Sequence, residues 1–239
     1  MNIEYTITAD FGFITLTNPP YNELNDPVFA DPRQLREFLN QEFLKGIIIR
    51  GKGRNFCAGA DRNKLSSQLT NPDKLMEMLD IGKELLNLIY FAPVPVVAVV
   101  KGSCLGAGLE LALACHFRFV SANAVLGFPE SSLNLQPGLG GSVSTKGRLH
   151  KQSQIDLLIS GKMINGAEAH QLGLSDYVFP TKQVETEAVN FLSGLTEKRS
   201  PHIIHSIMHA INNSEILSRE NALKQETKLF IKLARKINV

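Results

Sequence analysis

The sequence has few cysteines and no long apolar run, and these absences exclude several classes of protein. Its three cysteines form no Cys-x-x-Cys motif, so neither a disulfide framework nor a cysteine-based zinc site is indicated, and a reducing compartment fits best. The longest apolar run, residues 94–100, contains Pro95 and is far shorter than the roughly 20 residues that span a bilayer. The N-terminus lacks the pattern of a secretory signal. We therefore expect a cytoplasmic protein with no membrane partner.

An excess of charge of either sign is also missing. The 25 basic and 23 acidic side chains leave a formal net charge of +2 over 239 residues, which gives no argument for a nucleic-acid partner. Hydrophobic residues make up 44% of the chain, as in ordinary soluble globular proteins, so disorder, collagen and coiled coil are excluded as overall classes. The length allows one large domain or two small ones.

Strand-like and helix-like segments alternate through the first half of the chain. The run GIIIRG at residues 46–51 is β-branched and bounded by glycines, which is typical of a strand buried on both faces. A helical pattern follows, with Asp73 as its predicted N-cap and Pro93 as its stop. A second buried strand then covers residues 94–100. The repetition predicts an α/β layered domain.

The pattern becomes mainly helical from Asn165 onward. A short strand is expected at DYVF, and further helices are expected from Val184, Ser200 and Ser214. The break near Thr181 suggests a core over residues 1–180 and a helical C-terminal region over residues 181–239.

Two glycine-bearing turns offer backbone N–H groups without obvious partners. In PVVAVVKGSCLGAGLELALAC, residues 95–115, a strand leads through a turn into a helix that starts near Ala107. N–H groups at a helix start lack intrahelical partners and suit an oxyanion or phosphate. The turn CAGAD at residues 57–61 offers the N–H of Ala60. Two converging donors make an oxyanion hole, at about 2.7–4 kcal/mol per donor. The alternative is that the glycines only make tight strand-to-helix turns.

Two carboxylates stand next to these turns. Glu110 lies in the first turn of the apolar helix LELALAC, where burying an acid is costly unless the acid is paired or functional. Glu130 follows Pro129, which stiffens the backbone. Two acids at one pocket suit a reaction that both removes and adds a proton. Taken separately, Glu110 could interact only with the helix dipole, and Glu130 could be a surface acid.

Four segments together resemble the enoyl-CoA hydratase/isomerase family, also called the crotonase family. The resemblance implies an α/β fold, a crotonase-like superhelix of ββα turns with a helical C-terminal trimerisation region, assembled as a homotrimer or hexamer. In chain order the segments are FCAGAD at residues 56–61, PVPVVAVVKGSCLGAGLELALAC at residues 93–115, LGFPESSLNLQPGLGG at residues 126–141 and ISGKMINGAEAHQLGLSDYVFP at residues 159–180.

The resemblance also implies an activity. It is that of an enoyl-CoA hydratase-like lyase of fatty acid metabolism, the reversible syn hydration of a 2-enoyl thioester to a 3-hydroxyacyl thioester. The family's two catalytic glutamates fall on Glu110 and Glu130, and its oxyanion-hole N–H groups on Ala60 and Ala107. No metal or redox cofactor is implied, and coenzyme A or a phosphopantetheine arm is part of the substrate.

The family pattern places substrate and coenzyme A against the same two turns. The positions implied to bind them, apart from the oxyanion-hole residues, are Ala58, Gly59, Asp61, Gly106 and Gly108.

Departures from the family pattern keep a second activity open. Ala107 stands where glycine is usual, and His116 stands where aspartate is usual. Relatives continue beyond the position of Val239 with a segment that helps to cover the acyl pocket, so a more open pocket is expected. Such a pocket suits a dehydratase, isomerase or decarboxylase acting on a polyketide-type thioester held by an acyl carrier protein. A non-catalytic member that binds RNA or acts as a scaffold is the third alternative.

Three histidines fall on one face of a predicted helix. His202, His205 and His209 stand at i, i+3 and i+7. Zinc needs ligands that converge at about 2.0–2.1 Å, which three successive helical turns rarely allow. We therefore interpret them as polar-face residues and expect no metal site.

Overall fold

A six-stranded sheet, parallel except for its first pair, forms the centre of the protein. The computed structural model describes residues 3–236, apart from the side chain of Arg62. The strand order in this sheet is β1-β2-β3-β4-β6-β9, and a smaller sheet has the order β5-β7-β8. The strands are β1 Ile3–Thr8, β2 Phe11–Leu16, β3 Gly46–Gly51, β4 Val96–Val100, β5 Ser103–Leu105, β6 Phe117–Ser121, β7 Val125–Gly127, β8 Met163–Asn165 and β9 Tyr177–Phe179.

Helices cover both faces of the large sheet, so the predicted α/β class is confirmed. Between β7 and α6 the chain forms a 3-10 turn, Pro129–Leu133, and a short helix that begins at Gly141. The helices are α1 Pro32–Leu39, α2 Arg62–Gln68, α3 Pro72–Tyr90, α4 Ala107–Ala114, α5 Gly141–Ser144, α6 Lys151–Ser160, α7 Gly166–Leu172, α8 Val184–Thr196, α9 Pro201–Ile216 and α10 Arg219–Ala234. Within residues 3–236, no helix is both long enough and apolar enough to cross a bilayer.

The strand predicted at GIIIRG is confirmed, and both of its faces are buried. Ile47 and Ile49 belong to the larger apolar core, whereas Ile48 packs in a second cluster with Val97. Successive strand residues alternate between faces, so a strand covered on both sides is apolar throughout. The second cluster also contains Leu192 of α8.

Helix α8 therefore completes the core although it lies beyond residue 180. It contacts β3, β4, β6 and β9. The division into a core over residues 1–180 and a C-terminal region over residues 181–239 stays a prediction.

Two helix starts differ from the expected ones. Asn71, and not Asp73, caps α3, and its side chain accepts the N–H of Lys74 at 3.2 Å. The reason is Pro72, which favours the first helical position and leaves Asp73 inside the first turn. The last helix begins after Ser218 and not at Ser214, because Ser214 still belongs to α9.

His116 joins the end of α3 to the start of β4. Its Nδ1 accepts the N–H of Val96 at 2.9 Å, and its Nε2 donates to the carbonyl of Tyr90 at 3.0 Å. Burial lowers the pKa of His116 to about 4, so the ring is neutral and its two nitrogens keep opposite hydrogen-bonding roles. The histidine thereby fixes where β4 starts, and β4 leads directly to β5 and α4.

An ion pair between a buried arginine and a half-buried aspartate holds β9 against β6. Arg118 is 1% exposed, and its guanidinium and backbone N–H both donate to Asp176. The guanidinium also donates to the carbonyl of Cys115 at 2.8 Å.

We predict that Asp176→Ala lowers the free energy of unfolding by about 3 kcal/mol, because it leaves the buried Arg118 charge without its carboxylate partner. The control is Asp10→Ala, which breaks the exposed pair with Lys45 and is expected to change stability by less than about 1 kcal/mol. Urea unfolding of the two variants checks this, and equal losses would contradict it.

Candidate active site

Backbone hydrogen bonds join the turn at residues 57–61 to strand β5. The N–H of Cys57 donates to Ser103 at 3.0 Å, and the N–H of Leu105 donates to the carbonyl of Cys57 at 3.0 Å. A Cβ on Gly59 would lie 2.7 Å from the Leu105 carbonyl oxygen, and one on Gly108 would lie 2.3 Å from the Cys57 carbonyl oxygen. Glycine is required at both positions because the two segments approach so closely.

Two residues next to this pairing, Ala60 and Ala107, line one cavity. In the part of the chain that the structure describes, neither Ala60 nor Ala107 has an acceptor for its N–H. The neighbouring groups are paired: Asp61 donates to Leu24 at 2.9 Å, and Gly106 donates to Gly127 at 2.9 Å. Ala107 is the first residue of α4, so its N–H lies at the positive end of the helix dipole. The two groups are therefore available to an oxygen atom of a ligand.

Glu110 is buried in α4 and held by backbone groups. It is 1% exposed, and its Oε1 accepts the N–H of Leu139 at 2.8 Å and that of Gly141 at 2.7 Å. Burial raises its pKa from 4.5 to about 7; the negative charge of Glu130 also raises it, and the backbone hydrogen bonds limit the rise. A carboxyl group with such a pKa exchanges protons readily near neutral pH.

Glu130 reaches the same place from the 3-10 turn. Burial raises its pKa, and its Oε2 is buried with no hydrogen-bond partner among the described residues. Gly106 makes room for it: this glycine has φ +51°, and a Cβ there would lie 2.7 Å from Glu130 Oε1. Glycine at this position thus serves both the turn into α4 and the approach of the second glutamate.

The free N–H groups and the two glutamates line one cavity of about 220 Å³. Ala58, Gly59 and Gly106 also line it. The rest of its wall is mainly aliphatic, from α2, α3 and the segment after the 3-10 turn. The leucines include Leu65, Leu69, Leu75, Leu79, Leu133 and Leu139.

Two residues that the family pattern assigns to substrate lie outside this lining. Asp61 caps α2, and its side chain accepts the N–H of Asn63 at 2.9 Å. Gly108 is packed against Cys57. Their part in binding stays a prediction, and the contacts seen are structural.

Neither the backbone groups that hold Glu110 nor the cavity residue Asp26 is among the site residues that the sequence predicts. The only sequence feature that pointed to these backbone groups was the glycine-rich segment QPGLGG at residues 136–141. Asp26 had no signal, because a single acid in a loop resembles any surface residue.

The three histidines line a separate cavity next to α10, with Lys232 and Lys236. The Nε2 of His205 donates to the carbonyl of Leu44 at 3.1 Å. Across the residues that the structure describes, no group of three or more histidine, cysteine or acidic side chains is placed to hold a metal ion.

Comparisons with known proteins show the family of the chain. The model of the enoyl-CoA hydratase/isomerase family matches residues 6–239. A probable enoyl-CoA hydratase of Bacillus subtilis (strain 168) is 33% identical over 95% of this chain and 88% of that protein. A peroxisomal fatty acid beta-oxidation multifunctional protein of Arabidopsis thaliana is 32% identical over 94% of this chain, which spans 30% of that protein.

Solved structures show the same relationship. Enoyl-CoA hydratase from Thermoplasma volcanium GSS1 superposes with a TM-score of 0.84 at 32% identity, covering 98% of this chain and 92% of that one. An enoyl-CoA hydratase from Polaromonas sp. JS666 gives a TM-score of 0.84 at 29% identity, with 96% and 90% covered. The predicted crotonase-like fold is confirmed, and the chain belongs to the enoyl-CoA hydratase/isomerase family.

Proposed function

We propose that the protein is a hydratase that adds water reversibly and syn across the double bond of a 2-enoyl-CoA thioester. The observation that supports this most is the meeting of Glu110, Glu130 and two free backbone N–H groups in one largely apolar cavity. An isomerization needs one acid, whereas adding water needs one group to take a proton and another to supply one. The relatives named as enoyl-CoA hydratases support coenzyme A as the carrier.

In the proposed reaction the thioester carbonyl oxygen accepts the N–H groups of Ala60 and Ala107. Glu110 takes a proton from the bound water as the water oxygen bonds to C3. The electron pair of the double bond moves toward the carbonyl oxygen, where the two N–H groups stabilise the charge. Glu130 then gives a proton to C2, and the thioester carbonyl re-forms. The net change is addition of one water.

The surroundings of the two glutamates support the roles proposed for them. Burial raises the pKa of Glu130, and its Oε2 has no hydrogen-bond donor among the described residues, which favours the proton-supplying role proposed for it. Glu110 is oriented by two backbone donors on one oxygen, which leaves its other oxygen for water. The two acids therefore act from fixed positions in one cavity, and syn addition requires both to reach the same face of the double bond.

The placement of Glu110 also supports a functional role because it lowers stability. Its folded-state pKa of about 7 exceeds 4.5, so folding favours the protonated form. The contribution of Glu110 to the free energy of unfolding is most favourable below about pH 4.5, where the carboxyl is protonated in both the folded and the unfolded state. This contribution is lost as the pH rises through about 7, because the buried carboxyl then has to ionise. An acid that costs free energy at neutral pH is typical of a catalytic site.

We predict that Glu110→Gln and Glu130→Gln each lower kcat for hydration of a short 2-enoyl-CoA by at least about 100-fold, because each removes a proton-transfer group. Loss of the conjugated enoyl absorbance measures the rate. Glu77→Gln, which changes an exposed acid on α3, is the matched control and should keep the wild-type rate.

The same assay separates the two carriers. With one acyl group on coenzyme A and on an acyl carrier protein, we expect coenzyme A to be preferred by more than about tenfold in kcat/KM, or roughly 1.4 kcal/mol. Undiminished hydration by both glutamine variants would overturn the proposed mechanism, and preference for the carrier protein would overturn the proposed carrier.

We further predict that Glu110→Gln is more stable than the wild type at neutral pH. The amide oxygen can still accept the Leu139 and Gly141 N–H groups, but no buried charge forms. The gain in free energy of unfolding should be small near pH 5 and grow to about 3 kcal/mol near pH 8. Urea unfolding across this range tests it, with Glu77→Gln expected to show no such trend. A gain in the free energy of unfolding that falls with rising pH would contradict the raised pKa of Glu110.

We also propose that α9 and α10 mediate self-association as a trimer or hexamer. Large apolar side chains on these helices are exposed, among them Ile207, Ile216 and Phe230, the last by 70%. Several large apolar side chains exposed on two neighbouring helices favour an interaction site there. A cyclic assembly would bury the same patch on every copy.

We predict that the wild type has a molar mass of at least three times 26.3 kDa by light scattering, and that Phe230→Glu shifts it toward the single-chain mass. Ile7→Glu, which places the same charge on the edge strand β1, is the control and should not change the mass. A wild-type protein that stays at 26.3 kDa would overturn the assembly.

A further inference from the structure

One acid in the cavity has no part in the proposed reaction. Asp26 lines the cavity together with the two glutamates. Its Oδ1 is buried and has no hydrogen-bond partner among the described residues. A buried polar oxygen without a partner costs free energy, which a bound ligand with a hydrogen-bond donor would recover.

Contacts on both sides hold Asp26 in position. On one side, Leu24 forms a parallel bridge with Ala60, in which the N–H of Leu24 donates to Gly59 at 2.8 Å. On the other side, Pro27 packs so closely on α3 that a Cβ on Gly82 would lie 2.8 Å from its carbonyl oxygen. The segment that carries Asp26 thus runs from the turn bearing the oxyanion N–H to the helix that forms the aliphatic wall.

The charges of the cavity have one sign. Among the described side chains that line it, the charged ones are Asp26, Glu110 and Glu130, and none is basic. A ligand carboxylate in this cavity would meet like charge in an apolar setting, which is unfavourable. A hydroxyl or amino group would meet an acceptor that otherwise has no partner.

We propose that Asp26 is a specificity-determining residue that selects acyl groups carrying a hydrogen-bond donor, a hydroxyl or amino group, beyond the reacting carbons. The inference rests on the proposed function, because it assigns a substrate class to the same cavity. Asp26 acts on the distal acyl chain, and the two glutamates act on water and on C2 and C3. Hydrogen bonds to a charged acceptor are strong enough for the donor to raise kcat/KM roughly tenfold to hundredfold over a methyl-terminated chain.

The test compares 2-enoyl-CoA substrates of one chain length that end in a hydroxyl, an amino, a methyl or a carboxylate group. For the wild type we expect the hydroxyl-ended or amino-ended chain to exceed the methyl-ended chain by at least about tenfold in kcat/KM, and the carboxylate-ended chain to be the poorest. Asp26→Asn should reduce the preference for the donor, and Asp26→Leu should reverse it in favour of the methyl group. Asp80→Asn, which removes an exposed acid of α3, is the control and should leave the ratio unchanged.

The outcomes separate this inference from the proposed function. If the wild type hydrates the methyl-ended chain and shows the same ratio as Asp26→Asn, the role of Asp26 is wrong and the hydratase stands. If no chain is hydrated, the hydratase is wrong, and calorimetric binding of saturated acyl-CoA analogues with the same four ends still tests Asp26. Equal affinities for the hydroxyl-ended and methyl-ended analogues in that measurement would overturn the inference.

Discussion

The pairing of the turn at residues 57–61 with β5 is the interaction on which the site depends. Two backbone hydrogen bonds, from Cys57 to Ser103 and from Leu105 to Cys57, join two segments that arrive from different strands of the large sheet. Just beyond the paired segments, the N–H groups of Ala60 and Ala107 have no acceptor among the described residues, and both residues line one cavity. Glycines at positions 59 and 108 are a consequence, since a side chain at either would separate the segments.

A second constraint concerns the buried acids, for which the cost of desolvation is balanced against the hydrogen bonds that the backbone donates. Glu110 is almost fully buried in an apolar helix, and its two backbone donors come from Leu139 and Gly141. These donors offset part of the desolvation without removing the rise in pKa. Asp26 and Glu130 each have an oxygen with no partner among the described residues. The cavity therefore contains carboxylate oxygens that can accept hydrogen bonds from a ligand. Its aliphatic wall strengthens each such hydrogen bond by lowering the local dielectric constant.

Much of this could be predicted from the sequence. The buried strand at GIIIRG follows from composition alone, since β-branched residues between glycines suit no exposed structure. Glu110 and Glu130 stood out, one as an acid in an apolar helix and the other behind a proline. The choice between two neighbouring N-cap candidates was less predictable. Pro72 takes the first helical position, so Asn71 and not Asp73 caps α3. Long-range contacts could not be seen, and the link from His116 to Tyr90 and Val96 is an example.

By itself the sequence determined the types of element, their order and the acids and glycine turns that they carry, because these depend on residues close together in the chain. The tertiary structure decided which of those groups meet. It placed Asp61 as a helix cap, brought Asp26 to the cavity wall and set the pKa of Glu110 to about 7. A pKa or an unpartnered oxygen depends on burial and on neighbours distant in the chain, and neither exists until the chain has folded.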